Sequence, residues 1–332
     1  MATITTDRDP QSSVPVPELS VPASRDVGDF FYRLLTAGSA WIVLLLLGGV
    51  AAAMAWGGRL AFSTFGFGFI TSQQWDVVNG QFGALVPIFG TLVSSAIAML
   101  IAVPISLGIA MFLTEIAPHW IRTPIALAIE LLAAIPSIIY GMWGLFVFAP
   151  FLAEHVEPWL TTHLGGWPLV GVLFNGPPIG IGLLGASIVL GIMIIPFVAS
   201  VARDVFNAVP PALKEAAVAL GATRWEVLTR VTLPYTRSAI AGAIFLGLGR
   251  ALGETMAVTF LIGNSHDLSA SLLMPANSIA ATIANEFTEA DTPLYTSSLI
   301  ALGFLLFVVT FIVLAIAKLM LARMDRSSGR TH

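Results

Sequence analysis

The sequence predicts an all-helical membrane protein that crosses the bilayer six times, and three observations lead to this fold class. Of the 332 residues, 57% are apolar and only 10% carry a charge, whereas about 25% of the residues in a soluble domain are charged. The mean hydropathy is +0.89. Six segments with few or no charges are each long enough to cross a hydrocarbon core of about 30 Å. The chain has too few polar side chains to cover the surface of a soluble globule.

The predicted spans divide the chain into a membrane domain and two tails. They lie at residues 34–56, 84–113, 124–152, 180–202, 238–263 and 297–317. The polar, proline-rich residues 1–30 predict a disordered tail. Residues 31–322 form the membrane domain, which contains a large loop at 210–234, and residues 323–332 form a second tail.

The distribution of charge between the loops predicts the orientation. The tails and the loops on their side of the membrane hold 13 Lys and Arg residues. The opposite loops hold only Arg59 together with seven acidic residues. Since Lys and Arg are concentrated in cytoplasmic loops, both termini are predicted to be cytoplasmic.

The composition also excludes several kinds of chemistry. The chain has no cysteine, so a thiolate metal site and a cysteine nucleophile are unavailable. The histidines form no metal-binding motif. A net charge of −4 gives no support for a nucleic-acid partner. Neither Lys214 nor Lys318 follows a glycine, as the lysine of a phosphate-binding Walker A loop must. We therefore predict no catalytic residue, no metal site and no cofactor in this chain.

The loop at 210–234 predicts two short helices that project from the membrane. Gly221 suits a left-handed cap at the end of the first helix. Thr223 and Glu226 have the spacing of a capping box at the start of the second. Pro234 is expected to end the second helix. Such a basic projection suits a cleft on another protein, and the alternative is an amphipathic connector between spans.

Arg250 and Glu254 are the charged residues of the fifth predicted span. Arg250 lies about 18 Å from either end, where a charge costs roughly 2.5 to 3.5 kcal/mol on insertion scales. Glu254 is one helical turn further on and is placed to form an ion pair, or both side chains face a water-filled path. A guanidinium is well suited to replace the hydration of an oxyanion. Arg250 is the one candidate cation in the predicted spans, and packing by the ion pair is the structural alternative.

Glu130 is the single charge of the third predicted span. It lies about six residues from the cytoplasmic end, where a carboxylate either bonds a neighbour or contacts a substrate. Pro136 follows it and is expected to bend the helix. On the outer side, a short helix over residues 275–287 is predicted, with Asn277 as its cap.

Several motifs carry a resemblance to a known family. Glu215-Ala216-Ala217, Gly221 and the run 231–234 resemble the EAA motif of permease subunits of binding-protein-dependent ABC importers, and they depart from it only at Val231, where isoleucine is usual. The resemblance implies the type I importer permease fold and two coupling helices that bind a groove of a cytoplasmic ATPase. The coupling residues that it implies are Glu215, Ala216, Ala217, Gly221, Arg224 and Pro234.

Two further runs, 247–258 and 128–141, are similar to the signature of phosphate-specific permeases. Residues 69–76, 82–92 and 112–115 resemble the PstC-type subunit rather than its PstA-type sister. The resemblance implies a phosphate pathway through the membrane. The residues that it implies for this pathway are Arg250, Glu254, Thr255, Glu130, Ser137 and Tyr140.

The family implies a complex in a bacterial inner membrane. It would contain a PstA-type sister permease, two copies of an ATP-binding subunit that carries the ATP and Mg, and an extracytoplasmic phosphate-binding protein. The acidic outer loops should repel free phosphate. We therefore expect the binding protein to dock on them, and neutralising Glu286, Glu289 and Asp291 to weaken that docking.

Three alternatives stand beside a phosphate importer. One is a permease for another oxyanion, sulfate or molybdate. Another is an ion-coupled secondary transporter in which Glu254 or Glu130 carries protons, although no internal repeat supports it. The third is a purely structural membrane protein, which leaves the cost of burying Arg250 and Glu254 without a purpose.

Overall fold

The computed structural model describes residues 27–168 and 170–327, and this part of the chain is mainly helical. Six helical segments within it are long and apolar enough to cross a membrane, as the sequence predicts. They are Gly28–Gly57, Leu85–Ile116, Ser137–Leu164, Leu183–Asn207, Arg224–Leu252 and Pro293–Arg323.

The helices follow one another with short connections. In chain order they are α1 (Val27–Gly57), α2 (Arg59–Phe65), α3 (Gly68–Thr71), α4 (Leu85–Met111), α5 (His119–Ala134), α6 (Ser137–Trp143), α7 (Ala149–Phe151), α8 (Glu157–Leu164), α9 (Leu183–Asn207), α10 (Pro211–Ala219), α11 (Arg224–Val227), α12 (Leu233–Leu252), α13 (Met256–Leu261), α14 (Ile279–Glu286) and α15 (Pro293–Ser327). Single π-helical turns at Phe112–Ile116, Gly144–Phe148, Leu152–Val156 and Leu228–Thr232 extend or join them.

Residues up to Val50 form one compact unit, and its described part is most of α1. The large apolar side chains of this stretch, such as Trp41 and Leu45, are exposed, as suits a helix that faces lipid. Residues 1–26 of the predicted disordered tail lie outside the described residues. The tail boundary at residue 30 is wrong, because α1 already begins at Val27.

Residues from Ala51 onward form the second unit, and α9 lies at its centre. Val189, Leu190 and Ile194 of α9 are fully buried. They pack with apolar residues of α4, α12 and α13 in the largest core cluster. A helix that is apolar on all sides is one that others surround. A second cluster joins α2, α3, α14 and α15.

The third span is shifted relative to the prediction. Residues 124–152 were expected to form one helix, but α5 ends at Ala134 and α6 begins at Ser137. Ile135 and Pro136 adopt extended backbone angles between the two helices, since a proline disfavours helical geometry in the residue before it. The expected bend at Pro136 is therefore a full break, and the apolar span is Ser137–Leu164.

The prediction that Pro234 ends the second loop helix is wrong. The helix that begins at Arg224 passes through the π-helical turn Leu228–Thr232 and continues into α12 without interruption. Pro234 is the second residue of α12 and directly follows that π-helical turn. The widened π turn immediately before it gives the proline ring room.

Three other boundaries differ from the sequence prediction. Ser278, not Asn277, caps α14, because its hydroxyl accepts a hydrogen bond from the Ala281 N–H at 3.1 Å. Helix α15 continues to Ser327, past the predicted start of the second tail at residue 323. Residues 328–332 of that tail lie outside the described part of the chain. Helix α9, the fourth membrane segment, ends at Asn207 and therefore includes Arg203.

Candidate substrate pathway and coupling surface

The fifth membrane segment is broken beside its charged residues. Helix α12 ends at Leu252, and α13 begins at Met256. Gly249 and Gly253 weaken the helix here because glycine has the lowest helix propensity after proline. Non-helical backbone at membrane depth persists only where protein buries it or where it lines a water-filled cavity. Residues 253–255 therefore need either surrounding protein or a water-filled cavity to satisfy their backbone.

Arg250 lies in the last turn of α12, against the aromatic ring of Phe197 in α9. Its guanidinium carbon is 5.5 Å from the ring centroid, a distance at which the ring attracts the cation. The Nε atom of Arg250 is buried and has no hydrogen-bond partner among the described residues. A guanidinium whose buried Nε–H has no partner keeps a donor that can bind an anion.

Arg250 and Glu254 do not form an ion pair in the described part of the chain, so the pairing considered from the sequence is absent. That pairing depends on a continuous helix, and the break at residues 253–255 removes the required spacing. Glu254 Oε1 instead accepts a hydrogen bond from the Ala257 N–H at 3.3 Å, at the start of α13. Thr255 also lies at this start, and its carbonyl accepts a bond from the Thr259 hydroxyl at 2.7 Å.

The break between α5 and α6 brings Tyr140 into the same region. The Tyr140 hydroxyl donates a hydrogen bond to the Leu132 carbonyl at 3.0 Å, which ties α6 to α5 across Pro136. Gly141 allows α13 to approach closely, because a Cβ atom there would lie 2.7 Å from the Phe260 ring. Ser137 begins α6 at the break itself.

Glu130 lies apart from this group and pairs with Arg203 of α9. Glu130 Oε1 and Arg203 Nη2 are 2.8 Å apart, and Asp204 Oδ1 is 3.1 Å from the same nitrogen. The Glu130 side chain is half exposed. The sequence left two alternatives for Glu130, a bond to a neighbouring side chain or contact with a substrate. The structure shows the bond to a neighbour. Arg203 was missed as a membrane cation because the fourth span was expected to end at residue 202.

The chain after α9 contains both predicted helices, α10 and α11, although α11 continues into α12. Gly221 adopts a φ of +88° between α10 and α11, a conformation that favours glycine. The predicted capping box is confirmed: the Thr223 hydroxyl accepts from the Glu226 N–H at 3.3 Å, and Glu226 Oε2 accepts from the Thr223 N–H at 3.0 Å.

The surface formed by α10, α11 and the turn between them is both charged and apolar. Among the predicted coupling residues, Glu215, Ala216, Gly221, Arg224 and Pro234 are exposed, and Ala217 is half-buried. The sequence analysis missed three large apolar side chains beside them, which are Val218, Leu220 and Trp225. Leu220 is 91% exposed and Trp225 is 68% exposed. Their signal in the sequence is apolar residues placed next to the turn at Gly221.

At the opposite end of the molecule, Glu286 is held by three hydrogen-bond donors. Its Oε2 accepts from Trp75 Nε1 and from the Tyr295 hydroxyl, each at 2.7 Å, and its Oε1 accepts from His266 Nε2 at 2.8 Å. Burial raises the pKa of Glu286, but these hydrogen bonds lower it by more, so its pKa lies below the usual range. The rings of Trp75 and His266 are stacked, with centroids 5.1 Å apart. Glu286 is therefore a structural carboxylate rather than a free surface charge.

An open polar cavity of about 710 Å³ lies beside this cluster. Amides and carboxylates line it, among them Gln73, Asp76, Gln81 and Asp267. Hydrogen bonds from the backbone and side chain of Asn79 lower the pKa of Asp76, which remains ionised and orders its own loop. Asp267 is exposed at the rim.

Comparison with known proteins gives the family. Residues 104–326 match the model of the binding-protein-dependent transport system inner membrane component. A protein of Xylella fastidiosa named phosphate transport system permease protein PstC is 57% identical over 94% of this chain and 97% of its own length. A protein of the same name from Haemophilus influenzae is 53% identical over 90% of this chain and 95% of its own length.

Solved structures agree on the fold. The chain is similar to a bacterial alginate ABC transporter in complex with an alginate pentasaccharide-bound periplasmic protein, with a TM-score of 0.57, 20% identity, and coverage of 89% of this chain and 94% of that one. The matched family consists of membrane permease subunits and not of ATPases, in agreement with the missing Walker A loop. The chain is a multi-pass membrane protein, and it belongs to the binding-protein-dependent transport system inner membrane components and, within them, to the PstC phosphate transport permeases.

Proposed function

We propose that this chain forms half of the membrane pathway of an ATP-driven importer of inorganic phosphate, and that Arg250 binds the anion in transit. The observation that carries this proposal is the buried, unpartnered Nε of Arg250 beside the break at residues 253–255. An arginine stays charged at every physiological pH, and its planar donors match the oxygens of phosphate. The names of the relatives support phosphate as the anion.

The pathway residues have separate roles in this proposal. Arg250 holds the charge of the phosphate, and Phe197 keeps the guanidinium in position. Tyr140 and Ser137 line the break between α5 and α6, and Thr255 lines the break before α13. Glu254 caps α13, and its negative charge keeps phosphate from binding too tightly to leave. Glu130 contributes indirectly, through its ion pair with Arg203.

The remaining parts of the complex follow from the family. A PstA-type sister permease supplies the other half of the pathway, and two ATP-binding subunits, which carry ATP and Mg, bind α10 and α11. The surface that favours this docking combines exposed Leu220 and Trp225 with the charged Glu215 and Arg224. Alternating access then follows from movement of these helices.

We further propose that both termini are cytoplasmic, in a bacterial inner membrane. The tails and the loops on their side hold 13 Lys and Arg residues, whereas the opposite loops hold one, and this asymmetry supports the orientation. An extracytoplasmic phosphate-binding protein then docks at the outer polar cavity beside Asp267.

The test is phosphate uptake by proteoliposomes that contain this chain, its sister permease and the ATPase. The phosphate-loaded binding protein is added on the side of the vesicle membrane that the extracytoplasmic face of the permease faces. Arg250→Gln should abolish uptake while the complex still assembles and hydrolyses ATP. The matched control is Arg59→Gln, because Arg59 also lies over an aromatic ring, at 4.4 Å from the Trp56 centroid, but is exposed. Equal uptake by Arg250→Gln and wild type would refute the role of Arg250.

A competition experiment tests the choice of anion. Excess unlabelled phosphate should suppress the uptake of labelled phosphate, whereas excess sulfate or molybdate should not. Suppression by sulfate at the same concentration would favour the other oxyanion permease. Uptake that follows a proton gradient without ATP would favour a secondary transporter.

A further inference from the structure

The first coupling helix, α10, makes little apolar contact with the rest of the chain. Each of its nine residues is at least partly exposed in the described structure. Lys214 and Ala217 are its two half-buried residues, and they lie on the same face because they are three positions apart. A helix without buried anchors is free to follow a partner that grips its outer surface.

One ion pair joins α10 to the second membrane span. Lys214 Nζ is hydrogen-bonded to Glu115 Oε1 across 99 residues of sequence, and only 23% and 15% of the two side chains are exposed. The same Nζ lies 3.5 Å from the carbonyl of Phe206, near the end of α9. Since half-buried charges are screened less than exposed ones, this pair is a stronger link than a surface salt bridge.

Glu115 lies in a turn that is also held from its other side. It belongs to the π-helical turn Phe112–Ile116, which directly follows α4. Arg122 Nη2, from α5, donates to the carbonyls of Thr114 at 3.1 Å and Ala117 at 3.4 Å. This turn is therefore connected to both α4 and α5.

Helix α5 leads towards the pathway. Its last turn contains Leu132, whose carbonyl accepts the hydrogen bond from Tyr140 of α6. The next residue, Gly141, lies so close to the start of α13 that a Cβ atom there would be 3.1 Å from the Met256 carbonyl oxygen. The contacts from α10 to the pathway thus form one continuous series within the second unit.

We propose that the ion pair between Lys214 and Glu115 is a positioning link that passes movement of α10 to the cytoplasmic ends of α4 and α5, and so couples ATP hydrolysis to opening of the pathway. This inference rests on the proposed function, in which α10 binds the ATPase. Loss of the pair leaves the ATPase able to bind and hydrolyse ATP but less able to move the membrane helices.

The experiment measures phosphate transported per ATP hydrolysed in proteoliposomes of the whole complex. Lys214→Met and Glu115→Gln should each lower this ratio roughly tenfold, the size of an ordinary coupling between two sites. Lys214→Arg keeps the charge and should retain the ratio. The reversed pair, Glu115→Lys with Lys214→Glu, should recover the ratio to within about twofold of wild type.

The control removes an exposed ion pair elsewhere. Asp29→Asn breaks the pair with Arg33, whose two side chains are 59% and 79% exposed, and should leave the ratio unchanged. Size-exclusion chromatography checks that each complex assembles, and if Glu115→Gln does not, the two Lys214 variants carry the test.

The outcomes separate the two proposals. A wild-type complex that transports no phosphate with ATP overturns the proposed function as well as this link. A wild-type complex that transports phosphate, with Lys214→Met at the wild-type ratio, overturns the link alone. A reversed pair that remains as impaired as the single variants also overturns it.

Discussion

The guanidinium of Arg250 lies over the ring of Phe197, 5.5 Å from its centroid, and so joins the last turn of α12 to the central helix α9. Phe197 is the described aromatic ring on which Arg250 rests, while the Arg250 Nε stays unpaired. The ring holds the cation without using up its hydrogen-bond donors. The Phe197 ring therefore holds the guanidinium in position while the Nε–H of Arg250 can still donate a hydrogen bond.

Replacing Phe197 should weaken transport. Phe197→Leu keeps an apolar side chain but removes the attraction between ring and cation, which is worth about 0.5–2 kcal/mol. Phosphate uptake should fall roughly 2- to 30-fold if that energy is lost from the rate-limiting step. Uptake by proteoliposomes measures the effect. Trp56→Leu, which removes the exposed ring beside Arg59, should have no effect, and equal losses in both variants would contradict the prediction.

Gly221→Ala should weaken binding of the ATPase by changing the angle between α10 and α11. The φ of +88° at Gly221 is strained for any residue with a Cβ atom, at a cost of about 1–2 kcal/mol. Beyond its two chain neighbours, no heavy atom of the described residues lies within 4 Å of that Cβ position, so the expected effect comes from backbone strain. Gly38→Ala, equally free of contacts but helical, is the control. Pull-down of the ATPase with detergent-solubilised permease measures binding.

Leu220→Asp should disrupt the same docking by a different route. Leu220 is 91% exposed in this chain and is expected to be buried by the ATPase. Burial of a leucine is worth about 1.5–3 kcal/mol, so the affinity should drop roughly 10- to 150-fold. Val78→Asp, at a site that is 94% exposed in the connection between α3 and α4, should leave the affinity unchanged. Retained affinity in Leu220→Asp would mean that the ATPase does not cover this residue.

Glu286→Gln should destabilise the outer part of the second unit and remove a dependence on pH. The pKa of Glu286 is lowered in the folded protein, so its ionised form contributes stability above the unfolded-state pKa, and this is lost as the pH falls through the folded-state pKa. Thermal unfolding in detergent from neutral to acidic pH should therefore show a decline in wild type that is smaller in Glu286→Gln. At neutral pH the variant should lose about 1–3 kcal/mol of stability.

Glu289 provides the control for Glu286, because it lies nearby but is exposed. Glu289→Gln should retain the wild-type stability and its pH profile. The two variants also separate an effect on folding from an effect on docking. The hypothesis that Glu286 attracts the binding protein does not fit a carboxylate that three internal donors hold. A Glu286→Gln variant with unchanged stability would restore that hypothesis.

The parts of the site that sequence reasoning predicts are local ones. The capping box of Thr223 and Glu226 and the left-handed turn at Gly221 depend on residues within a few positions of one another. The effect of Pro136 is also local, because a proline acts on its own turn and on the residue before it, although the sequence predicted only a bend where the structure has a full break. Such features follow from backbone chemistry and need no knowledge of the rest of the fold.

The errors concern helices that end at other residues than the sequence predicts. Pro234 does not stop the helix, because a π-helical turn that packs Leu228 and Thr232 in the interior accommodates it. Arg250 and Glu254 do not pair, because the helix between them is broken beside α6 and α9. A side chain's spacing along an assumed helix cannot reveal that the helix ends.

The sequence by itself determined the class of protein, its six apolar spans and the turn and capping box between α10 and α11, because hydropathy and local turn chemistry are properties of short segments. Only the tertiary structure decided which partner each charged side chain contacts. It joined Arg250 to Phe197, Glu130 to Arg203, and Lys214 to Glu115. The free energy of a buried or half-buried charge depends on partners that packing brings from elsewhere in the chain, and the order of residues along the chain does not contain that information in any local pattern.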